Sequence, residues 1–131
     1  MTTQKTGTWR LTVRTDFAAA HQLRHYEGKC ERMHGHNFGV EAVVEGGALQ
    51  PKTEMLIDFK VLKTMLKEIL SGLDHCHLNE HPAFTERNPS SENIARFIYK
   101  EMEQRLEGSG VRMKSITVSE KPAQSATYFE E

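Results

Sequence analysis

Three histidines of this chain are spaced so that they could bind one metal ion. His34 and His36 form a His-x-His pair, and side chains two residues apart on a β-strand project from the same face. His21 ends an earlier segment of alternating hydrophobicity and shares the parity of that segment's apolar residues. If the two segments pair as strands with their apolar faces together, all three imidazoles lie on one side of the sheet.

This set of residues predicts a zinc site. Three neutral imidazoles and an open fourth position are the arrangement of catalytic zinc, whereas structural zinc usually has four ligands, often thiolates. We therefore predict Zn²⁺ as the cofactor, held by His21, His34 and His36. Two alternatives stay open on the residues alone. Either the histidines are ordinary polar or core residues, or Cys30 completes a structural zinc site as its fourth ligand.

Cys30 is also a candidate general base or nucleophile. It lies in a charged segment with Lys29 and Arg32. Positive neighbours and a nearby dication both lower the pKa of a thiol and favour its thiolate. The same spacing is compatible with a spare thiol or a metal ligand.

Asp74 and His75 are adjacent and follow a predicted helix. A carboxylate beside an imidazole raises its basicity and fixes its tautomer, which makes the pair a candidate proton relay. The alternative is that both are polar residues at a helix end, in water. Cys76 and His77 come next and could join a second metal site.

Glu120 continues the parity of Ile116 and Val118, which puts a carboxylate on the apolar face of a predicted strand. Burying a carboxylate without a partner is costly, so a cationic or hydrogen-bonding partner is expected. A planar ligand with two parallel N–H donors would match its two oxygens. The alternative is a strand-end carboxylate already in water.

The elements that must position these residues follow from hydrophobic periodicity. Alternation predicts strands over 8–21, 34–45, 111–120 and 126–129, and helical spacing predicts helices over 58–73 and 91–106. Asp58 and Ser90 or Ser91 can cap the helices. The order strand-strand-helix-helix-strand-strand predicts an α+β fold: a four-stranded antiparallel sheet with two helices on one face.

Length and charge narrow the class of protein. The 131 residues predict a single domain, 1–131. A net charge of −1 gives no basic excess to neutralise phosphates, so no nucleic-acid partner is expected. No apolar run approaches the ~20 residues that span a bilayer, and the polar start has no secretory signal core. The cytoplasm is the expected compartment, with no membrane partner.

Six segments taken together resemble, in order, the 6-pyruvoyl/6-carboxy-tetrahydropterin synthase family, and the match covers nearly the whole chain. These segments are Phe17-Ala18-Ala19-Ala20-His21, Cys30-Glu31-Arg32-Met33-His34-Gly35-His36-Asn37, Ile57-Asp58-Phe59, Leu73-Asp74-His75, Pro89-Ser90-Ser91-Glu92-Asn93 and Val118-Ser119-Glu120. The resemblance implies a tunnelling fold, a homo-oligomer that is commonly a hexamer of two stacked trimers, and active sites at subunit interfaces.

The resemblance also implies roles for individual residues. It implies that the three histidines bind zinc, that Cys30 is the general base, and that Asp74 and His75 relay protons. It further implies that Glu120 anchors the pterin ring, with Ser91 and Glu92 in the wall of the pterin pocket. Ser90 and Ser91 stand where the family often has Thr, which keeps a hydroxyl.

The implied substrate is a small pterin triphosphate, 7,8-dihydroneopterin triphosphate, and the implied enzyme is a zinc-dependent carbon–oxygen lyase. Three residues separate Cys30 from His34, which resembles the bacterial 6-carboxy members of queuosine biosynthesis; these release acetaldehyde and triphosphate. A 6-pyruvoyl synthase of biopterin synthesis and a non-catalytic zinc-stabilised binding module stay open. The triphosphate needs cationic partners, and the candidates are Arg24, His25, Lys29, Arg32 and Lys121.

Overall fold

The structure is a computed structural model that describes residues 5–27 and 32–131. Its first two strands, β1 (Trp9–His21) and β2 (His34–Gly46), pair antiparallel along their full length. Both strands alternate between buried and more exposed residues, as their sequence patterns predict. The register pairs His21 with His34 and Trp9 with Gly46. The end of β1 that carries His21 therefore lies beside the end of β2 that carries His34 and His36.

Two helices cover one face of the sheet. The first, α1 (Phe59–Ser71), is capped by Asp58, whose side chain accepts a hydrogen bond from the backbone N–H of Lys60 at 2.8 Å. The second, α2 (Ser91–Leu106), is capped by Ser90, whose hydroxyl accepts from the N–H of Asn93 at 3.2 Å. Both caps satisfy N–H groups that lack partners within the first turn. The buried sides of the helices and the sheet form one core.

The sheet has five strands, and the predicted count of four was wrong. The additional strands in chain order are β3 (Cys76–His77), β4 (Arg112–Lys121) and β5 (Gln124–Tyr128). The strand order is β3-β1-β2-β4-β5, and β3 runs parallel to β1. A strand of two residues is too short to show an alternating pattern, so only its tertiary pairing reveals it.

The predicted α+β class and the two helices on one face are confirmed, while the all-antiparallel sheet is corrected to a mostly antiparallel one. The predicted order strand-strand-helix-helix-strand-strand was also wrong, because β3 stands between α1 and α2 in the chain. The opposite face of the sheet bears ion pairs, among them Arg10–Glu45 at 3.0 Å and Arg14–Glu41 at 2.9 Å. Within the described residues, no helix is long and apolar enough to cross a membrane.

Candidate metal centre and active site

The β1–β2 hairpin brings three imidazoles together at one end of the sheet. His21 faces His34 across the strands, and His36 lies opposite Ala19. One nitrogen from each of the three rings lies within 4.8 Å of the others, so the group could hold a metal ion. This is the arrangement that strand parity predicts, because a register in phase with the apolar pattern puts all three rings on the helix side.

Hydrogen bonds determine which nitrogen of two of these rings is available. Nδ1 of His21 lies 2.7 Å from the carbonyl oxygen of Pro89, and Nδ1 of His34 lies 2.7 Å from that of Arg32. A carbonyl can only accept, so each Nδ1 carries the proton and each Nε2 presents a lone pair. This second contact of a ligand imidazole is typical of metal sites.

The Nε2 atom of His21 is the clearest indication that a metal belongs here. The His21 side chain is fully buried, and Nε2 has no hydrogen-bond partner among the described residues. An unsatisfied buried acceptor is costly, and a bound cation would remove that cost. Imidazole is a good ligand for several transition-metal dications, and three imidazoles with an open position are the usual ligands of catalytic Zn²⁺.

Burial also keeps these imidazoles ready to bind a cation. Desolvation holds the pKa of His21 below its ordinary value of 6.5, against the opposing effect of the hydrogen bond to Pro89. Desolvation likewise lowers the pKa of His36, although the nearby carboxylate of Glu120 raises it. Both rings are therefore neutral at pH 7 and do not need to lose a proton before they coordinate a metal.

Glu120 faces this imidazole group from β4. Its Oε1 lies 3.9 Å from Nε2 of His21, and its Oε2 lies 3.7 Å from Nε2 of His36. The hydroxyl of Ser91 donates to Oε1 at 3.3 Å. The β4–β5 register shifts beside Glu120, between Ser119 and Lys121, and such a bulge changes the direction of a side chain. The partners of this half-buried carboxylate are thus imidazoles and a hydroxyl.

Asp74 and His75 contact each other at the edge of β1 that faces away from β2. Oδ1 of Asp74 accepts from the backbone N–H of Ala18 at 2.9 Å, and Oδ2 lies 3.0 Å from Nδ1 of His75. The Ala18 N–H is the largest cause that lowers the pKa of Asp74. The His75 backbone has a φ of 56°, and its N–H donates to the Ala18 carbonyl at 2.5 Å. The pair is therefore fixed to β1.

The exposed imidazole of His75 opens onto the same groove as one of the candidate metal ligands. This groove has a volume of about 630 Å³, and its lining includes His36, His75, Cys76 and His77. His36, a candidate metal ligand, and His75 therefore line one groove, together with residues of β1, β2 and β3.

Comparison with known proteins identifies the family. The sequence profile of the 6-pyruvoyl tetrahydropterin synthase family matches residues 10–131. The chain belongs to this family. It is 38% identical over 126 residues to a 6-carboxy-5,6,7,8-tetrahydropterin synthase of Synechocystis sp., and the match covers 92% of this chain and 93% of the relative.

Other members of the tetrahydropterin synthase family differ in their named activity. A dihydroneopterin monophosphate aldolase of Pyrococcus furiosus is 35% identical, with coverage of 85% of this chain and 89% of that protein. The fold matches the structure of Caenorhabditis elegans 6-pyruvoyl tetrahydropterin synthase with a TM-score of 0.84 at 24% identity, covering 98% of this chain and all of the other. Membership of this family supports the prediction that the chain is a pterin-processing enzyme.

The remaining residues that the family resemblance singled out lie in different places. Ser91 contacts Glu120. Glu92 is exposed in the first turn of α2 and makes no ion pair or hydrogen bond with any residue in the described ranges. Cys30, the predicted general base, lies outside the described residues.

Among the described residues, Cys76 and His77 do not form a second metal group. The thiol of Cys76 donates to the carbonyl of Asp74 at 3.4 Å, and Nδ1 of His77 lies 3.4 Å from a carboxylate oxygen of Glu80. Among residues 5–27 and 32–131, only the three-histidine group has the geometry for a metal ion.

Sequence reasoning missed the residues that hold the segment after His21. Asn79 and Asn88 bind its backbone, and Arg24 is part of the same structural network. Arg24 was a candidate for the triphosphate, but its guanidinium donates to three backbone carbonyls instead. An asparagine in a loop or a single 3₁₀ turn belongs to no hydrophobic periodicity, so only the tertiary contacts reveal its role.

Proposed function

We propose that this chain is a zinc-dependent 6-carboxy-5,6,7,8-tetrahydropterin synthase of queuosine biosynthesis. It would convert 7,8-dihydroneopterin triphosphate to 6-carboxytetrahydropterin, with release of acetaldehyde and triphosphate. The observation that supports this most strongly is the buried Nε2 of His21, which lacks a partner in the described chain and faces two further imidazoles. The relative with 38% identity bears the name of this activity.

The residues of this chain divide the work of binding and proton transfer. His21, His34 and His36 would hold zinc, which as a Lewis acid stabilises negative charge that develops on a substrate oxygen. Glu120 would accept two hydrogen bonds from the amino-pyrimidine edge of the pterin, with Ser91 orienting its carboxylate and Glu92 in the pocket wall. The imidazoles near Glu120 and the pterin edge would then lie on either side of one carboxylate.

Proton transfer would use residues on two sides of the substrate. Cys30 would remove a carbon-bound proton as general base. His75 would deliver or accept a proton on the other side, and Asp74 at 3.0 Å would fix its tautomer and stabilise the imidazolium. Because His75 shares a groove with His36, the relay and the metal would act on the same side chain of the substrate.

The proposal includes a cytoplasmic homohexamer built from two trimers, with active sites at the subunit interfaces. An interface would supply walls for the groove near His36 and His75, which is open in the single chain. The native mass of the purified protein, measured by light scattering, tests this part. A monomer that turns over substrate at full rate would contradict it.

Product analysis distinguishes the proposed activity from its alternatives. The zinc-loaded protein is incubated with 7,8-dihydroneopterin triphosphate, and the pterins, acetaldehyde and inorganic triphosphate are quantified. We expect 6-carboxytetrahydropterin, acetaldehyde and triphosphate in equal amounts. A 6-pyruvoyl product without acetaldehyde would indicate the biopterin branch.

A second substrate tests for the aldolase activity that another relative's name states. Turnover of dihydroneopterin monophosphate in preference to the triphosphate would indicate an aldolase, as the name of the Pyrococcus furiosus relative states for that protein. No turnover of either compound by zinc-loaded protein would indicate a zinc-stabilised binding module. His34→Ala serves as the metal-deficient control in each reaction.

A further inference from the structure

Two side-chain amides pair with the backbone that follows His21. Asn79 Oδ1 accepts from the N–H of Gln22 at 2.9 Å, and Asn79 Nδ2 donates to the Gln22 carbonyl at 2.9 Å. Asn88 makes the same two bonds with Arg24, again at 2.9 Å each. Each amide offers one donor and one acceptor side by side, which is what a peptide group of a neighbouring strand would offer.

The two amides extend the sheet edge beyond the point where β3 ends. The strand β3 pairs with β1 at Ala19 and Ala20, and the amides then bind residues 22 and 24. The alternation along 20, 22 and 24 is that of a parallel ladder, in which every second residue bonds to the same neighbour. Since the chain after β3 turns into two short 3₁₀ helices, its backbone cannot continue this pairing.

Arg24 holds the loop between β3 and α2 around this segment. Its guanidinium donates to the carbonyl oxygens of Phe84 at 2.7 Å, Arg87 at 3.2 Å and Asn79 at 3.3 Å. Three carbonyls that point at one guanidinium leave little freedom for the loop. The loop and the segment after His21 therefore hold each other in place.

Asn88 connects this network directly to a candidate metal ligand. The next residue, Pro89, accepts the hydrogen bond from Nδ1 of His21 at 2.7 Å. The Asn88 carbonyl accepts from Nδ2 of Asn93 at 2.9 Å, so Asn88 is bound from α2 as well as from Arg24. These bonds hold the residue that immediately precedes Pro89, whose carbonyl accepts from Nδ1 of His21.

We propose that Asn88 is a positioning residue for the metal centre, and that Asn79 supports it by binding the backbone of Gln22. By binding the backbone of Arg24, Asn88 holds the Pro89 carbonyl against Nδ1 of His21, which directs the lone pair of Nε2 toward the other two imidazoles. The inference rests on the proposed function in one respect, namely that His21 is a zinc ligand. The tautomer of His21 in metal-free protein tests it independently of zinc and of turnover.

The test uses the full chain with three substitutions. Asn88→Ala removes both bonds to Arg24. Asn88→Asp keeps the bond from the Arg24 N–H but sets a carboxylate oxygen against the Arg24 carbonyl, so it is a second way to break the contact if the first variant does not fold. Leu106→Ala is the control for lost stability. Leu106 is buried at the last residue of α2, about 24 Å along a 16-residue helix from the Pro89 end.

The first measurement is the tautomer of His21 in metal-free protein at pH 8, from long-range proton–nitrogen NMR spectra. The unsubstituted chain and Leu106→Ala should show the Nδ1–H form. Asn88→Ala and Asn88→Asp should each show a mixture of both tautomers. An unchanged Nδ1–H form in a folded Asn88 variant would overturn the proposal, whatever its stability.

The second measurement is zinc affinity by competition with a chromophoric chelator. Loss of the hydrogen bond that orients a ligand imidazole typically weakens metal binding by about 10–100-fold. We expect a loss in that range for Asn88→Ala but no change for Leu106→Ala. Equal weakening in both variants would mean that Asn88 acts through global stability alone and would overturn the proposal. If the unsubstituted chain bound no zinc, the proposed function would fail, and the tautomer measurement would still decide the role of Asn88.

Discussion

The carboxylate of Glu120 lies 3.7 Å from Nε2 of His36, although the two residues come from different strands. The antiparallel register of β2 and β4 runs to Gly39 opposite Ser119, so Glu120 comes one residue past the last paired position. It thus reaches the histidine end of β2. A residue proposed to bind the pterin and residues proposed to bind the metal therefore meet at one point, and substitutions there should affect both ligands.

Glu120→Gln should weaken pterin binding while the protein stays folded. The amide replaces one acceptor oxygen with a donor, so one of two hydrogen bonds from the pterin edge becomes a contact between two donors. We expect a loss of about 1.5–3 kcal/mol in binding free energy, the value of a charge-assisted bond. Equilibrium titration of a pterin by fluorescence measures this directly.

The same variant should also bind zinc less tightly, because a negative charge is removed from the neighbourhood of two candidate ligand nitrogens. Glu92→Gln is the control for this zinc measurement, since Glu92 is exposed and makes no ion pair in the described ranges.

The pterin titration also has an outcome that contradicts the assignment. If Glu120→Gln bound the pterin as tightly as the unsubstituted chain does, Glu120 would be a structural carboxylate.

His34→Ala should abolish stoichiometric zinc. We expect about one zinc per chain in the unsubstituted protein, since only one group of residues in the described ranges could hold an ion, and the variant leaves two imidazoles, fewer than the three protein ligands of a catalytic zinc site. Metal analysis after dialysis is the measurement, with His25→Ala as the control outside the group. Full occupancy in His34→Ala would refute the ligand assignment.

Asp74→Asn should remove a pH-dependent part of the stability. The asparagine can still accept from the Ala18 N–H but lacks the charge, as a protonated carboxyl does. Because the folded-state pKa of Asp74 is lowered, chiefly by the Ala18 N–H, the charged form stabilises the fold above the ordinary pKa of 3.8. That contribution fades as the pH falls through the lowered folded-state value.

Urea unfolding of metal-free protein across the pH range tests this expectation. The midpoint for Asp74→Asn should lie below that of the unsubstituted chain at pH 7, and the two should converge in acid. A difference that is constant with pH would mean that the carboxylate charge has no part in the effect. Turnover by the zinc-loaded variant should also fall, because His75 loses its charged partner at 3.0 Å.

Cys30→Ala should separate the two roles considered for this thiol. If Cys30 is the general base, the variant keeps zinc and loses turnover by ~10²-fold or more, the scale of a missing general base. Zinc content, chelator competition and product formation are measured on the same preparation. A large loss of zinc affinity would instead identify Cys30 as a metal ligand and would favour the binding module.

Strand parity was enough to predict that three histidines come together in a group that could hold a metal ion. His21, His34 and His36 each share the parity of the apolar residues on their strand, and a one-residue slip in the β1–β2 pairing would bury polar side chains and expose the core. The cost of such a slip makes the register readable from the pattern. The same argument placed Glu120 on the buried side of β4 and predicted two capped helices, α1 and α2, with their apolar stripes toward the sheet.

Only the tertiary structure shows the features that have no periodic sequence pattern. The strand β3 has two residues, and it follows a turn in which Asp74 binds the N–H of Ala18 and His75 binds its carbonyl. Asn88 and Arg24 lie in loops and Asn79 lies in a short 3₁₀ helix. In such segments a polar residue is expected to be exposed to solvent until its partner is known. Those partners lie 55 to 64 positions away along the chain. Local patterns report which face of an element is buried, whereas contacts between distant loops depend on how the elements pack.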